Sequence, residues 1–164
     1  ELKDQFGPFY LIPEGGTNTL AIRGTAEILD DNTKGFDYIT SSVGTGGTLA
    51  GIIAASETDQ KVIGFSALKG DFLTNDIKEL LVAYQTQKNN WQVNTNYHCG
   101  GYAKTPEYLM RFIEQFEQKH KLLLDPIYTG KMIYGIYDLM QKDFFDKGSK
   151  ILAIHTGGLQ GRKE

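Results

Sequence analysis

The sequence has few of the residues that build disulfides and zinc sites. Its 164 residues include one cysteine, Cys99, and three histidines. A single cysteine excludes an internal disulfide framework and is typical of a reducing compartment such as the cytoplasm. His98 lies beside Cys99, but no second pair of ligands with zinc spacing exists in the sequence, so no metal site is predicted.

The sequence also lacks long apolar runs and a strong charge of either sign. No run is long enough to span a bilayer and no signal peptide is visible, so no membrane partner is expected. The net charge of −3 gives no reason to expect nucleic acid as a partner. The chain begins at Glu1 and its first methionine is Met110, which leads us to expect a processed or partial chain.

Short apolar runs alternate with helical patterns along the chain. The predicted strands cover residues 9–12, 38–40, 61–65, 91–97 and 151–155. The predicted helices cover residues 20–29, 48–56, 75–87, 106 to at least 116, and 130–142. Thr105 and Pro106 suit the cap and the first residue of the fourth helix. This alternation predicts an α/β fold with an open, mostly parallel sheet and helices on both faces.

A glycine-rich loop joins the second predicted strand to the helix that follows it, with the sequence GTGGT at residues 44–48. Unpaired N–H groups at a helix N-terminus attract anions, and glycines let the backbone approach them closely. A phosphate is the natural ligand, although a tight turn without a ligand remains the alternative. No lysine follows the glycines as in a Walker loop, and their spacing differs from the GxGxxG fingerprint.

Two further glycine loops have the same kind of position in the sequence. Residues 15–18 (GGTN) join a predicted strand to a helix, and residues 156–158 (TGG) follow the last predicted strand. Ligands of open α/β sheets bind at the carboxyl ends of the strands, so these loops are expected to converge. The sequence has no Gly-x-Ser-x-Gly motif, so a hydrolase triad is unsupported.

Five segments occur in a fixed order along the chain. They are YLIPEGGTN (10–18), VGTGGTLAG (43–51), GYAKTPE (101–107), LDPIYTGK (124–131) and HTGGLQG (155–161). Together they resemble the 1-aminocyclopropane-1-carboxylate (ACC) deaminase / D-cysteine desulfhydrase family. These are pyridoxal-phosphate (PLP) enzymes of the tryptophan synthase β-subunit fold, also called fold type II. The resemblance covers residues 9–161, nearly the whole chain.

The resemblance implies a cofactor and a set of site residues. The cofactor is PLP, and its phosphate is expected on Gly44, Thr45, Gly46, Gly47 and Thr48. Tyr102 and Tyr128 match the active-site tyrosines of the family, where a phenol donates or relays a proton beside the substrate.

Thr129 and Thr156 match the positions near the cofactor ring nitrogen. The deaminase branch has Glu and Leu there, whereas the desulfhydrase branch has hydroxyl residues at both. The resemblance therefore favours D-cysteine desulfhydrase-like chemistry, an α,β-elimination that gives pyruvate, ammonia and sulfide. ACC deaminase remains the alternative.

The resemblance is to the C-terminal part of these enzymes only. The chain (1–164) matches part of the large PLP-binding domain, whereas the small domain and the lysine that forms a Schiff base with the cofactor have no counterpart in it. Lys131 lies in the YTGK motif and is not that lysine. We therefore expect a cytoplasmic amino-acid lyase that is a homodimer at full length, with no turnover from this chain alone. A phosphate-binding α/β module without covalent chemistry is the second alternative.

Overall fold

A four-stranded parallel sheet forms the centre of the computed structural model, which describes residues 1–162. The strands are β1 (Tyr38–Val43), β2 (Lys61–Ser66), β3 (Trp91–Asn94) and β4 (Ile151–Ile154). Their order across the sheet is β3-β2-β1-β4, and every neighbouring pair is parallel. In the register, Tyr38 of β1 lies opposite Lys61 on one side and Ile151 on the other. All four carboxyl ends therefore lie at the same edge.

Within residues 1–162, six α-helices and three short 3-10 helices accompany the sheet. The α-helices are α1 (Leu2–Phe6), α2 (Thr19–Ala26), α3 (Gly47–Ala55), α4 (Leu73–Ala83), α5 (Glu107–His120) and α6 (Thr129–Gln141). The 3-10 helices cover Glu14–Gly16, Asp31–Thr33 and Leu159–Gly161. Parallel strands need crossover connections, and the helices between the strands supply them.

The alternation of side chains along the strands divides the core into two layers. Ile39, Val43 and Val62 point to the face covered by α2, α3 and α4. Ile63 and Phe65 point to the opposite face, covered by α5 and α6. Burial of each such side chain stabilises the fold by about 1.5–3 kcal/mol. The prediction of a parallel sheet with helices on both faces is confirmed.

Close packing of α2 on α3 depends on one glycine. A Cβ atom added to Gly51 would lie 2.6 Å from the carbonyl oxygen of Ile22 and 2.1 Å from Thr25 Oγ1. The two helices can approach this closely only because residue 51 has no side chain. The N-terminus of α2 is capped by Asn18, whose Oδ1 accepts a hydrogen bond from Ala21 N at 2.9 Å. This packing fixes the position of the loop that precedes α3.

The prediction of a buried strand at residues 9–12 is wrong. The segment has no strand assignment, and Tyr10, Leu11 and Ile12 are exposed. A strand is stable only when it pairs, and sheet positions beside β1 are already taken by β2 and β4. The local pattern is apolar enough for a strand, but within residues 1–162 the segment pairs with none of the four strands, not even with the edge strands β3 and β4.

Several predicted boundaries also differ from the observed ones. The strand predicted at 91–97 ends at Asn94, because its pairing with β2 ends there and Asn94 Oδ1 then accepts a bond from Asn96 N. The helix predicted from Pro106 begins at Glu107, with Pro106 in an extended conformation and no side-chain cap. The helix predicted at 75–87 is Leu73–Ala83.

Candidate active site

The carboxyl-edge cavity lies where β1 and β4 end, and its volume is about 310 Å³. It is lined by Gly15, Ser42, Val43, Gly44, Thr45, Gly46, Gly47, Thr48, Leu49, Asp125, Tyr128, Thr156, Gly157, Gly158 and Gln160. All three glycine loops singled out from the sequence therefore contribute to one cavity. Its volume is at the lower end of the range of about 300–1,000 Å³ that is common for small-molecule sites.

One wall of this cavity is the loop between β1 and α3, residues 44–48. Gly46 is the N-cap of α3, has a φ of 89° and makes no side-chain cap. A side chain at this φ would be strained, and a Cβ atom there would also lie 2.9 Å from Ile77. The first N–H groups of a helix have no partner within it and carry partial positive charge. The loop thus has the geometry and the electrostatics of an anion site.

The loop at residues 15–17 packs against the loop at residues 44–48. Thr17 Oγ1 and Thr45 Oγ1 are hydrogen-bonded at 2.6 Å. A Cβ atom on Gly15 would lie 2.4 Å from Thr45 Oγ1, and one on Gly47 would lie 3.0 Å from Thr17 Oγ1. The two glycines therefore allow the two loops to touch. Because the Thr45 hydroxyl already forms this hydrogen bond, the backbone N–H groups and the Thr48 hydroxyl are more available as donors to an anion.

Tyr128 lines the cavity, whereas Tyr102 is not among the lining residues and contacts the Tyr128 ring. Tyr128 is half-buried and Tyr102 is 58% exposed, and their ring centroids are 6.2 Å apart at an interplanar angle of 63°. Burial, followed by the neighbouring Tyr102, raises the pKa of the Tyr128 phenol. Tyr128 is therefore protonated at neutral pH and can donate a hydrogen bond.

The two threonines predicted near the cofactor ring differ in position. Thr156 is exposed and lines the cavity. Thr129 is completely buried and is not among the lining residues. Its hydroxyl donates to Asp125 Oδ2 at 2.6 Å and accepts from Asp125 N at 3.0 Å. The structure therefore brings Thr156 to the cavity with the glycine loop, but not Thr129.

Asp125 is a site residue that the sequence interpretation missed. Its buried carboxylate lines the cavity and accepts hydrogen bonds from the backbone N–H groups of Ile127, Tyr128 and Thr129 at 2.9, 2.7 and 2.9 Å. These bonds hold the start of α6, and with it Tyr128. An aspartate followed by proline just before a helical pattern is a capping signal that could have identified it.

Lys131 is not among the residues that line the carboxyl-edge cavity. It is 1% exposed, and its Nζ donates a hydrogen bond to the carbonyl oxygen of Gly101 at 2.8 Å. Burial lowers the pKa of this ammonium group, whereas Cys99 and Asp125 act in the opposite direction. Among the cavity-lining residues, all within the described range 1–162, there is no lysine.

No helix within residues 1–162 is both long and apolar enough to cross a membrane. In the same range, no group of three His, Cys, Asp or Glu side chains comes together as a metal site. Cys99 is buried, and its Sγ lies 3.2 Å from the carbonyl oxygen of Tyr97.

The fold and the cavity define an α/β protein with an anion cradle at a helix N-terminus and two phenols beside it. The sequence pattern of the family described as pyridoxal-phosphate dependent enzymes matches residues 1–157. The chain belongs to this family.

Individual relatives agree with this assignment. A putative ACC deaminase of Pyrococcus furiosus is 32% identical over 178 residues, which cover 98% of this chain and 53% of that protein. The bifunctional D-cysteine desulfhydrase/ACC deaminase, mitochondrial, of Arabidopsis thaliana is 34% identical over 170 residues, which cover 93% and 42%. A D-cysteine desulfhydrase of Klebsiella pneumoniae (strain 342) is 30% identical over 167 residues, which cover 91% and 50%.

Solved structures show the same similarity in three dimensions. The crystal structure of an ACC deaminase homologue superposes with a TM-score of 0.78 at 31% identity, covering 98% of this chain and 52% of that one. Processed threonine deaminase isoform 2 of Solanum lycopersicum has a TM-score of 0.60 at 15% identity and shows the fold alone. The resemblance inferred from the five motifs and the predicted fold class are both confirmed. The chain spans about half the length of the relatives it matches.

Proposed function

We propose that the full-length protein is a PLP-dependent amino-acid lyase of the D-cysteine desulfhydrase type. This chain would form the C-terminal portion of its large PLP-binding domain. The observation that carries the proposal is the contact between the glycine loop and a phenol. A Cβ atom on Gly44 would lie only 3.3 Å from Tyr128 Oη, so a ligand held by the loop has a proton donor beside it.

The residues of the cavity fit the cofactor. The backbone of residues 44–48 would hold its phosphate, and the absence of a side chain at Gly44 leaves room beside Tyr128 in the cavity. Thr156 would offer a hydroxyl to the ring at the end of β4. When bound, PLP supplies an electron sink for the negative charge left at the substrate's α-carbon.

The two tyrosines would handle protons. Because the Tyr128 phenol keeps its proton at neutral pH, it is suited to donate a hydrogen bond to the substrate carboxylate or a proton to the departing sulfur. Tyr102 is in ring contact with it and more exposed, which suits it to relay that proton from solvent. The overall reaction converts D-cysteine and water to pyruvate, ammonia and hydrogen sulfide.

ACC deaminase activity is the alternative within the same chemistry. The Pyrococcus relatives carry that name, whereas the Klebsiella relatives are named D-cysteine desulfhydrase. Thr156, which lines the cavity, favours the desulfhydrase, because a hydroxyl replaces the Leu expected of the deaminase branch. Residue 129 also lacks the Glu of that branch, although the Thr129 hydroxyl is bonded to Asp125 and does not reach the cavity. A neutral hydroxyl shares only a weak hydrogen bond with a ring nitrogen, which suits an elimination.

A phosphate-binding module without covalent chemistry is the second candidate. Covalent catalysis on the cofactor needs an amine at its aldehyde carbon. Among residues 1–162, no lysine lines the cavity, and Lys131 is bonded to Gly101 O instead. We therefore propose that this chain alone does not turn over amino acids, and that the required lysine belongs to a part of the protein outside it.

We further propose that the full-length enzyme is a cytoplasmic homodimer with a small amino acid as substrate. A single, buried, unpaired cysteine is compatible with a reducing compartment. Exposed apolar side chains in the N-terminal segment, including Phe6, Leu11 and Ile12 at 65%, 71% and 70%, support the presence of further protein packed against it.

The experiment is an elimination assay on the full-length protein with D-cysteine, L-cysteine and ACC. Sustained release of pyruvate and sulfide in equal amounts from D-cysteine supports the desulfhydrase. Release of ammonia and a four-carbon oxo acid from ACC supports the alternative. Binding of the cofactor without any product from the three amino acids would leave only the non-catalytic module.

A further inference from the structure

Lys131 is a buried cation that has no role in the proposed reaction. Removal of a charged amine from water is costly unless a partner compensates for it, and apolar residues of similar size are often at least as stabilising in such positions. Lys131 is 1% exposed in the layer between the sheet and α6. Its presence there calls for a role in geometry rather than in stability.

The hydrogen bond of Lys131 joins two segments that each carry a tyrosine of the site. Lys131 is in the first turn of α6, a helix that begins directly after Tyr128. The acceptor, Gly101 O, belongs to the residue directly before Tyr102, at 2.8 Å from Nζ. One side chain thus bridges the two backbones that present the facing rings.

Cys99 packs the loop at residues 98–102 into the core, but apart from the bond from Lys131 the hydrogen bonds of the loop backbone are local. Gly100 and Gly101 have φ angles of 98° and 114°. Glycine can adopt a wide range of backbone conformations, so these two residues do little to fix the loop. The backbone bonds of Gly101 to His98 and Lys104, at 3.0 and 3.2 Å, stay within the local chain. The bond from Lys131 reaches the loop from another element and sets where it lies.

We propose that Lys131 is a positioning residue that holds the loop at residues 98–102 against α6 and thereby keeps the Tyr102 ring on Tyr128. Tyr102 is more than half exposed, so little else fixes its ring in contact with Tyr128. The role rests on the proposed function, because that function gives the two phenols a reaction to serve. The tether itself is a property of the fold and can be measured without turnover.

The test uses the full-length protein labelled with 3-fluorotyrosine and observed by fluorine NMR. Tyr102→Phe and Tyr128→Phe assign the two resonances. Lys131→Met removes the donor and keeps the length of the side chain. We expect the Tyr102 and Tyr128 resonances to shift or broaden, while Tyr38 at the opposite end of β1 stays unchanged. Unchanged Tyr102 and Tyr128 resonances in a folded Lys131→Met protein overturn the proposal.

Lys61→Met is the matched control, because it also removes a lysine that touches a tyrosine. Lys61 Nζ lies 3.1 Å from Tyr38 Oη. This variant is expected to move the Tyr38 resonance and to leave Tyr102 and Tyr128 in place. A shift of the Tyr102 and Tyr128 resonances by Lys61→Met as large as that by Lys131→Met would show that the response is not specific, and would overturn the proposal.

A second variant covers the possibility that Lys131→Met does not fold. Alanine at Gly101 is strained at its φ of 114° and must rotate the carbonyl that Lys131 binds. Gly148→Ala carries the same kind of strain at φ 89° with no atom within 4 Å, away from the site. Gly101→Ala should move the two resonances and Gly148→Ala should not. If Gly101→Ala has no effect on them, the tether does not set the position of Tyr102.

The two proposals fail in different ways. An enzyme inactive on D-cysteine and ACC, with resonances that respond to Lys131→Met, refutes the lyase and keeps the tether. An active enzyme with resonances that do not respond keeps the lyase and refutes the tether.

Discussion

Gly44 and Tyr128 lie so close that a single methyl group added to Gly44 would press on the phenol. The added Cβ would be 3.3 Å from both Cε1 and Oη of Tyr128. This contact joins the glycine-rich loop after β1 to the start of α6. The proposed phosphate-binding loop and the proposed proton donor therefore share one wall of the carboxyl-edge cavity.

Gly44→Ala is expected to weaken binding of the cofactor. Tyr128 must move by a few tenths of an ångström to accept the methyl, and overpacking of this kind costs about 1–3 kcal/mol. We expect roughly a tenfold rise in the Kd of a phosphorylated pyridoxine ligand, which corresponds to about 1.4 kcal/mol. Gly35→Ala is the control, since a Cβ there meets no atom within 4 Å. Equal Kd values for the two variants would contradict the claim that the contact between Gly44 and Tyr128 forms part of the binding cavity.

Tyr128→Phe is expected to lower kcat of the full-length enzyme by about 10²–10⁴-fold, the usual contribution of a general acid or base. The substitution removes the phenol hydroxyl and keeps the ring that packs on Gly44, so the affinity for the cofactor should change little. Steady-state kinetics with D-cysteine and a cofactor titration measure the two effects. Tyr137→Phe is the control, because the Tyr137 hydroxyl contacts His120 and this residue is not among those that line the cavity. A Tyr128→Phe enzyme with unchanged kcat would remove this tyrosine from the chemistry.

Asp125→Asn is expected to loosen the start of α6. The asparagine oxygen can replace only one of the two carboxylate oxygens, so an N–H such as that of Thr129 loses its acceptor. The cost of such an unsatisfied buried group is about 1–3 kcal/mol, measured by denaturant unfolding. Asp30→Asn is the matched control, because Asp30 also caps a helix by accepting from Asn32 N but is exposed, and asparagine is an equally good cap. Equal losses in the two variants would contradict the role of Asp125.

Much of the fold and part of the site could be predicted from the sequence, for local reasons. The runs at 38–40, 61–65 and 151–155 are apolar, short and bounded by polar loops, and all three are strands. The loop at 44–48 could be identified because strand, glycines and helix follow one another in the chain. Residues 9–12 show the limit, since an apolar run becomes a strand only when another strand pairs with it.

The parts of the site that were missed depend on contacts between distant residues. Thr129 is expected from the sequence to lie near the cofactor, but its hydroxyl is bonded to Asp125. The spacing of residues in the sequence does not tell whether the hydroxyl bonds to the cofactor ring or to the Asp125 carboxylate. The bond from Lys131 to Gly101 spans 30 residues and leaves no periodic pattern. Asp125 alone had a local signal, the capping position before α6.

Stability above pH 10 is expected to depend on Tyr97. Burial, together with the Asp138 carboxylate that its phenol donates to at 2.6 Å, raises the pKa of Tyr97 above its usual value near 10. The folded state therefore holds this proton more tightly than the unfolded state does, so the stabilisation is complete below pH 10 and is lost as the pH rises through the folded pKa. Burial also raises the pKa of Tyr108, to about 12, so the titration of Tyr108 adds to the loss of stability above pH 10.

Tyr97→Phe tests this dependence. At pH 8 it should lower the free energy of unfolding by about 1.5–3 kcal/mol, the range for a hydrogen bond to a charged group. Above pH 10 the difference in free energy of unfolding between the parent protein and the variant should become smaller. Tyr108 is present in both proteins, so its titration does not affect this difference. Denaturant unfolding from pH 7 to 11 gives the two curves. A constant difference across this range would contradict the shifted titration of Tyr97.

The central claim is that the loop at residues 44–48 is a phosphate anchor, and the most direct measurement compares two ligands that differ only in phosphate. Pyridoxine 5′-phosphate and pyridoxine both lack the aldehyde, so neither forms an imine with a lysine and calorimetry reports the cavity alone. We predict that the phosphorylated ligand binds at least about tenfold more tightly, a difference of about 1.4 kcal/mol, and that Gly44→Ala reduces this difference. Equal affinities of the two ligands, or a phosphate preference that Gly44→Ala leaves intact, would contradict the account.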